Sequence, residues 1–436
     1  MRSARKAPLS TAAPDVEERV AMTATDRADL VVVGAGTVGG WASYFARTDG
    51  LGRVVVLEKG LAGQGASSRA AGIVRAQGGT PATVALGRWT IDFYNGQQAA
   101  IGTDSGFREL GYLILAVTED DERAGRERVE MQRREGLDVR WLSADEATKL
   151  IPTLAEEGHR GGSFIETDGC IDPPRNVRAY SLAMQAAGVE LRERTAFTGL
   201  IVEPTSSTTG ASRVVGVETS AGPIAADRVL LTGGPSLRSV GRMAGLRIPA
   251  GAARHTVCIL ELHEAFNVER MPMIFDIGEG IYWRLEEGGL LFGWSDPDEA
   301  PGEARSINWP MYEKVRERLS ALVPVTRGLG IRKIWAATID YTPDHLPIVG
   351  PALTPDGSRI DGVTIASPGG HGMMWGPGVA RVAADLAIRG STDLLDVTDL
   401  GLDRFDEHGR SRLATDPIAL PFPVSADEDE TPVSIG

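Results

Sequence analysis

Three glycines and one acid carry the first chemistry that can be read from this chain. Gly34, Gly36 and Gly39 follow the β-branched run Leu30–Val33, and Glu58 closes a second apolar run over 53–57. Each type has a mechanical reason: Gly34 permits a tight turn out of a strand, Gly36 lets backbone approach a pyrophosphate, and Gly39 lets the following helix pack closely on that strand. The phosphates then rest on the positive N-terminus of the helix. Glu58 stands close to the roughly 20-residue spacing expected of an acid that accepts hydrogen bonds from a ribose diol. Its charge would repel a 2′-phosphate, which argues against NADP. Residues 29–58 therefore read as a βαβ unit for an anionic dinucleotide.

Other arrangements are missing. His263-Glu264 is followed by Ala265, Phe266 and Asn267, so no HExxH forms, and the six histidines give no metal cluster. The GPSLR stretch around Ser236 lacks the closing glycine of a nucleophile elbow, which makes a hydrolase a poor reading. Cys170 and Cys258 lie far apart in no zinc-like spacing and read as free thiols of a reducing compartment. Against 59 acidic residues stand 45 basic ones, a net charge of −14, which disfavours nucleic acid and anionic membranes as partners. No apolar run approaches the roughly 20 residues that span a bilayer, and the N-terminus lacks the apolar core of a signal peptide, so the expected location is cytoplasmic.

The elements that must hold this chemistry follow from length and pattern. At 436 residues the chain exceeds the roughly 250–300 at which a single core stops growing, so two domains are expected. Residues 1–28 read as a disordered leader and 411–436 as an acidic flexible tail. After Glu58 comes a stretch of small and hydroxylated residues, 59–79, suited to close approach to a ligand; helical spacing resumes over 81–101. From 249 to 332 the pattern changes to alternating strands, HTVCILEL, GIYWRL and GLLFGWS, followed by the helix Trp309–Leu322. On the strand GIYWRL, Tyr282 and Trp283 point to opposite faces, and Tyr282 is the one expected toward a pocket. The segment IWAATIDYTPDHLPIVGP crosses back, and VTIASPGGHGMMWGPGVARVAADLAIRG supplies a strand, a second glycine turn and a helix. The expected division is a discontinuous dinucleotide domain (29–105, 166–248 and 333–410) and a substrate domain (106–165 and 249–332).

Five stretches taken in this order, 31–58, 66–75, 230–234, 341–350 and 369–378, resemble the flavin-dependent amine oxidoreductases that include D-amino-acid oxidase, glycine oxidase, sarcosine oxidase and dimethylglycine dehydrogenase. TPDHLPIVG followed by GGHGMM is most similar to the branch with sarcosine, dimethylglycine and proline dehydrogenase subunits. The resemblance implies an α/β plus α+β architecture: a Rossmann-like FAD-binding domain and a second, antiparallel-sheet substrate domain, as in the glutathione-reductase-like FAD fold. It implies FAD as cofactor, with Gly34, Gly36, Gly39, Glu58 and Lys59 on the ADP half and Ser67, Ser68, Arg69, Ala71 and Gly72 near the pyrophosphate and ring. Gly233 joins this set, and Gly370, His371, Gly372 and Met373 would lie against the pyrimidine edge, where backbone N–H groups stabilise charge on the reduced ring.

Departures from the family pattern shape the rest. Where some members attach the flavin through a histidine or a cysteine, this chain has Arg69 and Ala337, so noncovalent FAD is expected. A lysine associated with oxygen reactivity aligns with Leu291; loss of a cation there points toward a dehydrogenase. Arg75 falls on the position resembling a substrate-binding arginine, whose fork suits a carboxylate. Two further family cations are replaced by Met374 and Ile339, and Arg284 is the candidate to compensate. The catalytic candidates are thus Arg75, Tyr282, His371 and Arg284. The expected reaction is oxidation of the C–N bond of an amino acid or N-alkyl amino acid by hydride transfer to flavin N5, giving an imine, with O2 or another acceptor taking the electrons from this small-molecule amine or amino-acid substrate. An NAD-dependent dehydrogenase and a noncatalytic electron-transfer flavoprotein subunit are the alternatives.

Overall fold

In the computed structural model, residues 26–205, 212–303 and 305–418 are described; most of the expected leader and most of the acidic tail lie outside them. The strands Leu30–Val33 and Val54–Leu57 are buried at every position, because apolar clusters cover both faces of a largely parallel sheet and leave no polar side. Leu30, Val32, Val54 and Val56 point into one apolar cluster, and Val31, Val33, Val55 and Leu57 into the other. These strands lie parallel, flanked by Val229–Leu231 and Glu190–Arg192, within a ten-stranded sheet. The helices Thr37–Thr48, Pro173–Ala187 and Gly376–Arg389 pack on one side of it.

The second sheet has eight strands in the order Ile331–Tyr341, Gly251–Leu260, Gly289–Ser295, Ile281–Glu286, Met273–Asp276, Tyr112–Leu115, Gly162–Ile165 and Arg140–Leu142. It is antiparallel except where Met273–Asp276 runs parallel to Tyr112–Leu115. Period-two alternation sorts its two faces. Cys258, Trp283 and Phe292 pack on the side of the helix Trp309–Leu322, while Val257, Tyr282 and Leu291 point the other way, together with Tyr112 and Phe275.

Three boundaries differ from those read in the sequence. Arg27–Ala28, placed in the leader, pairs in parallel with Ala225 and Ala226 at the sheet edge. The long strand Ile331–Tyr341, assigned from residue 333 to the dinucleotide side, pairs along its length with Gly251–Leu260 in the second sheet, because its alternation matches that strand's register. Residues 411–418, placed in a flexible tail, return to the body: Asp416 and Ile418 are buried.

Candidate active site

A cavity of about 1240 Å³ runs from the glycine turn at 34–39 to the inner face of the second sheet. Of the site residues read from the sequence, all line it except Ser68 and Arg284. The turn shows why its residues are glycine. Gly34 has φ +99°, and a Cβ at Gly39 would fall 1.9 Å from the Gly34 carbonyl oxygen. Gly36 caps the helix Thr37–Thr48 without a side-chain bond and no acid occupies the first turn, so the positive end of the helix faces the cavity. Ser67 Oγ accepts from Thr37 N–H at 3.0 Å, which ties the 66–72 loop to this end. Glu58 accepts from Ala35 N–H at 3.0 Å and Gly60 N–H at 2.8 Å. A side-chain-free cradle beneath a helix terminus, with a carboxylate at one end, fits the diphosphate and ribose of a dinucleotide.

The opposite pole is built by the turn at 368–373. Gly369 and Gly370 have φ +59° and +92°, and a Cβ on Gly369 would meet the Leu346 carbonyl oxygen at 2.8 Å. Asp340 supports the turn through Ser367: its carboxylate accepts from Ser367 Oγ at 2.7 Å, and that hydroxyl accepts from Gly369 N–H at 3.2 Å. Burial raises the Asp340 carboxyl above its usual range. His371 donates from Nδ1 to the Gly369 carbonyl at 3.0 Å, since that oxygen can only accept, which leaves Nε2 as an acceptor. Its ring packs 4.1 Å from Trp375, and burial holds the imidazole neutral, well below its ordinary pKa. Tyr94 Oη donates to Met373 O at 2.9 Å and fixes the end of the turn.

Between the poles lies Arg75. The residue is 2% exposed, and its guanidinium donates from Nη1 to Gln77 O at 2.6 Å and from Nη2 to Ile418 O at 2.8 Å. Among the described residues no carboxylate stands within 4.0 Å of it. Asp168 holds the strand beneath, accepting from Ala76 N–H at 2.8 Å, and burial pushes that carboxyl up to about 7.

Arg284, expected to share in carboxylate recognition, does not line the cavity. Its Nε donates to Ala71 O at 3.0 Å and it pairs with Glu286, so its buried charge anchors the 69–72 loop from behind. Arg69 bonds the carbonyls of Gln64 and Gly65, and Trp335 Nε1 donates to Arg69 O at 2.9 Å. Leu291 is buried in the apolar cluster that holds Tyr282 and Ile418 and does not itself line the cavity.

One pair was missed in the sequence. His255 lines the cavity with Nε2 2.6 Å from the Tyr282 hydroxyl and Nδ1 2.9 Å from Ser295 Oγ. Burial lowers its pKa to about 4 and raises that of Tyr282, so the pair is neutral. A usable signal existed: in HTVCILEL, His255 shares its face with Val257 and Ile259, which turn toward the cavity cluster. Asn176 was also missed. It accepts from Trp41 Nε1 at 3.1 Å and donates to Thr37 Oγ1 at 3.2 Å, bracing the start of the helix.

Comparison with known proteins agrees with this geometry. The FAD dependent oxidoreductase (DAO) family matches residues 29–386. The 4-methylaminobutanoate oxidase (formaldehyde-forming) of Paenarthrobacter nicotinovorans is 28% identical over 399 residues, 88% of this chain and 46% of its own. Sarcosine oxidase subunit beta of Rhodobacter capsulatus is 26% identical over 388 residues, 87% of this chain and 89% of its own. The crystal structure of L-proline dehydrogenase from P.horikoshii superposes with a TM-score of 0.78 at 24% identity, covering 89% of this chain and 100% of that one. The chain spans about half the length, or less, of several curated relatives it matches. With both the fold and the glycine cradle in accord, the chain belongs to the FAD dependent oxidoreductase family.

Proposed function

We propose that the chain oxidises the C–N bond of an amino acid or N-alkyl amino acid, giving an imine that hydrolyses in water, with FAD held noncovalently. When bound, FAD supplies a two-electron acceptor that takes hydride at N5. The observation that carries the reading is Arg75: a buried cation on the cavity wall that donates to two backbone carbonyls and has no carboxylate within 4.0 Å among the described residues, the buried carboxyls of Asp168 and Asp416 acting on it only from farther away. A guanidinium has five N–H donors, so three remain to take a substrate carboxylate.

The surrounding side chains prepare the amine. His255 and His371 are held neutral and Asp340 is lifted by burial, so the wall resists charge. The same desolvation disfavours an ammonium ion, and the amine must be neutral when hydride leaves. The Tyr282 hydroxyl, backed by His255 and Ser295, offers a hydrogen-bonding oxygen on that wall. Noncovalent attachment rests on Arg69 and Ala337, which stand where some members of the resembling family carry the attaching histidine or cysteine. Membership of the family sets aside the nicotinamide-dependent alternative. The names of the relatives, a 4-methylaminobutanoate oxidase and a sarcosine oxidase subunit beta, support the substrate class. A cytoplasmic location fits the two buried, unbridged thiols Cys170 and Cys258.

The test has two parts. Acid precipitation of the yellow protein should release all flavin into the supernatant as FAD, and incubation with N-methyl and primary amino acids should form a carbonyl product trapped by a hydrazine reagent. A protein that neither carries FAD nor can be reconstituted with it would sink the proposal.

A further inference from the structure

Ile418 lies beyond the stretch matched by the family and 343 residues from Arg75 in sequence, yet the two touch. Its carbonyl accepts from Arg75 Nη2 at 2.8 Å, and its N–H donates to Asp416 Oδ1 at 2.8 Å. Asp416 N–H is in turn fixed on the Asp344 carbonyl at 2.9 Å. Asp344 is itself clamped by the buried Arg404, at 2.7 and 3.0 Å. Gly79 is pressed against this strap: a Cβ there would fall 2.2 Å from Asp416 Oδ1. The Ile418 side chain is 1% exposed, lines the cavity, and belongs to the apolar cluster that holds Tyr112, Phe275 and Tyr282.

One residue therefore presents a carbonyl to the buried cation and a branched side chain to the aromatic wall. We propose that Ile418 is a specificity-determining residue that sets the size limit of the substrate at the Arg75 end of the cavity, restricting it to amino acids with compact side chains. This rests on Arg75 taking the substrate carboxylate. A carboxylate on Arg75 must sit beside Ile418, because the same guanidinium holds the Ile418 carbonyl. The group attached to that carboxylate then meets the Ile418 side chain, whose β-branching leaves it few rotamers with which to yield. The strap is held at Asp416 by Asp344, so the residue cannot back away without breaking buried polar bonds.

The experiment is isothermal titration calorimetry of the FAD-bound protein with acetate, isobutyrate and benzoate, for the natural chain, Ile418→Ala and Ile418→Trp. Ile418→Ala should raise the benzoate-to-acetate affinity ratio by about 10-fold or more, the discrimination that a methylene-sized change in an apolar pocket produces. Ile418→Trp should lower the ratio while acetate still binds; if that variant does not fold, Ile418→Ala alone decides. Acetate binding with an unchanged ratio in Ile418→Ala would overturn the proposal and leave the Arg75 reading intact, since a merely structural strap would weaken all three ligands alike. If the natural chain binds none of the carboxylates, or binds them equally after Arg75→Ala, both readings fall.

Discussion

The Tyr282 hydroxyl meets His255 Nε2 at 2.6 Å because the neighbouring strand carries glycine at 293: a Cβ there would fall 2.0 Å from the Tyr282 oxygen. The two rings lie within 14° of parallel over that gap. Tyr282→Phe removes the hydroxyl from the cavity wall and leaves His255 Nε2 without this partner. Amine oxidation should fall about 10- to 100-fold in kcat, a modest share of what positioned proton-handling groups supply, while flavin content per protein stays unchanged. Gly293→Ala should reproduce the defect by pushing the ring aside. Steady-state kinetics beside flavin absorbance checks this; full activity in Tyr282→Phe would remove the pair from the reaction.

The same histidine gives the fold a pH dependence of definite sign. His255 has a folded pKa of about 4, below its ordinary 6.5, so the unfolded chain takes up the proton first. The stability tied to the neutral ring is complete above the ordinary value and is lost as pH falls through the window toward 4. By pH 5 the loss is about 2 kcal/mol. Burial acts in the same direction on His371. Denaturant unfolding at pH 7.5 and pH 5 should show the natural chain weakening over this interval, and His255→Gln should weaken by less.

Arg75→Ala tests the carboxylate site. Loss of a charged hydrogen bond worth roughly 1.5–3 kcal/mol should raise KM for a carboxylate-bearing amine about 10-fold or more. An amine lacking the carboxylate should be handled no worse than before. A KM that does not move takes Arg75 out of substrate binding.

Gly39→Ala tests the cradle. The added methyl would fall 1.9 Å from the Gly34 carbonyl oxygen, and neither backbone segment can yield while the helix Thr37–Thr48 stays packed on its strand. The purified variant should be colourless and should bind added FAD far more weakly, as read from flavin fluorescence quenching. Retention of a full complement of flavin would contradict the assigned role.

What the sequence revealed divides by the range of the interaction. The glycine turn and Glu58 were legible because the constraint is local: turn, helix start and second strand follow within about 30 residues, the size of a βαβ unit. The faces of the strand GIYWRL were legible from alternation, so Tyr282 was placed correctly in the cavity while Arg284, with the same face parity, was expected there and is not. Its charge is consumed by Ala71 and Glu286, partners that no pattern along the strand announces. His255 and Ser295 needed the register of two antiparallel strands, and Ile418 needed a contact across nearly the whole chain. Composition also misled at the C-terminus, where an acidic stretch drew residues 411–418 into a tail although Ile418 is packed in the core.

The measurement that bears most directly on the account is anaerobic mixing of the holoprotein with a panel of D-, L- and N-methyl amino acids while the flavin absorbance is followed. At least one of them should bleach the flavin in a saturable, single-turnover reaction, with colour returning on admission of an electron acceptor, and Arg75→Ala should require a much higher concentration of that compound. A chain that holds FAD but is bleached by none of them would contradict the account and favour a subunit that only passes electrons.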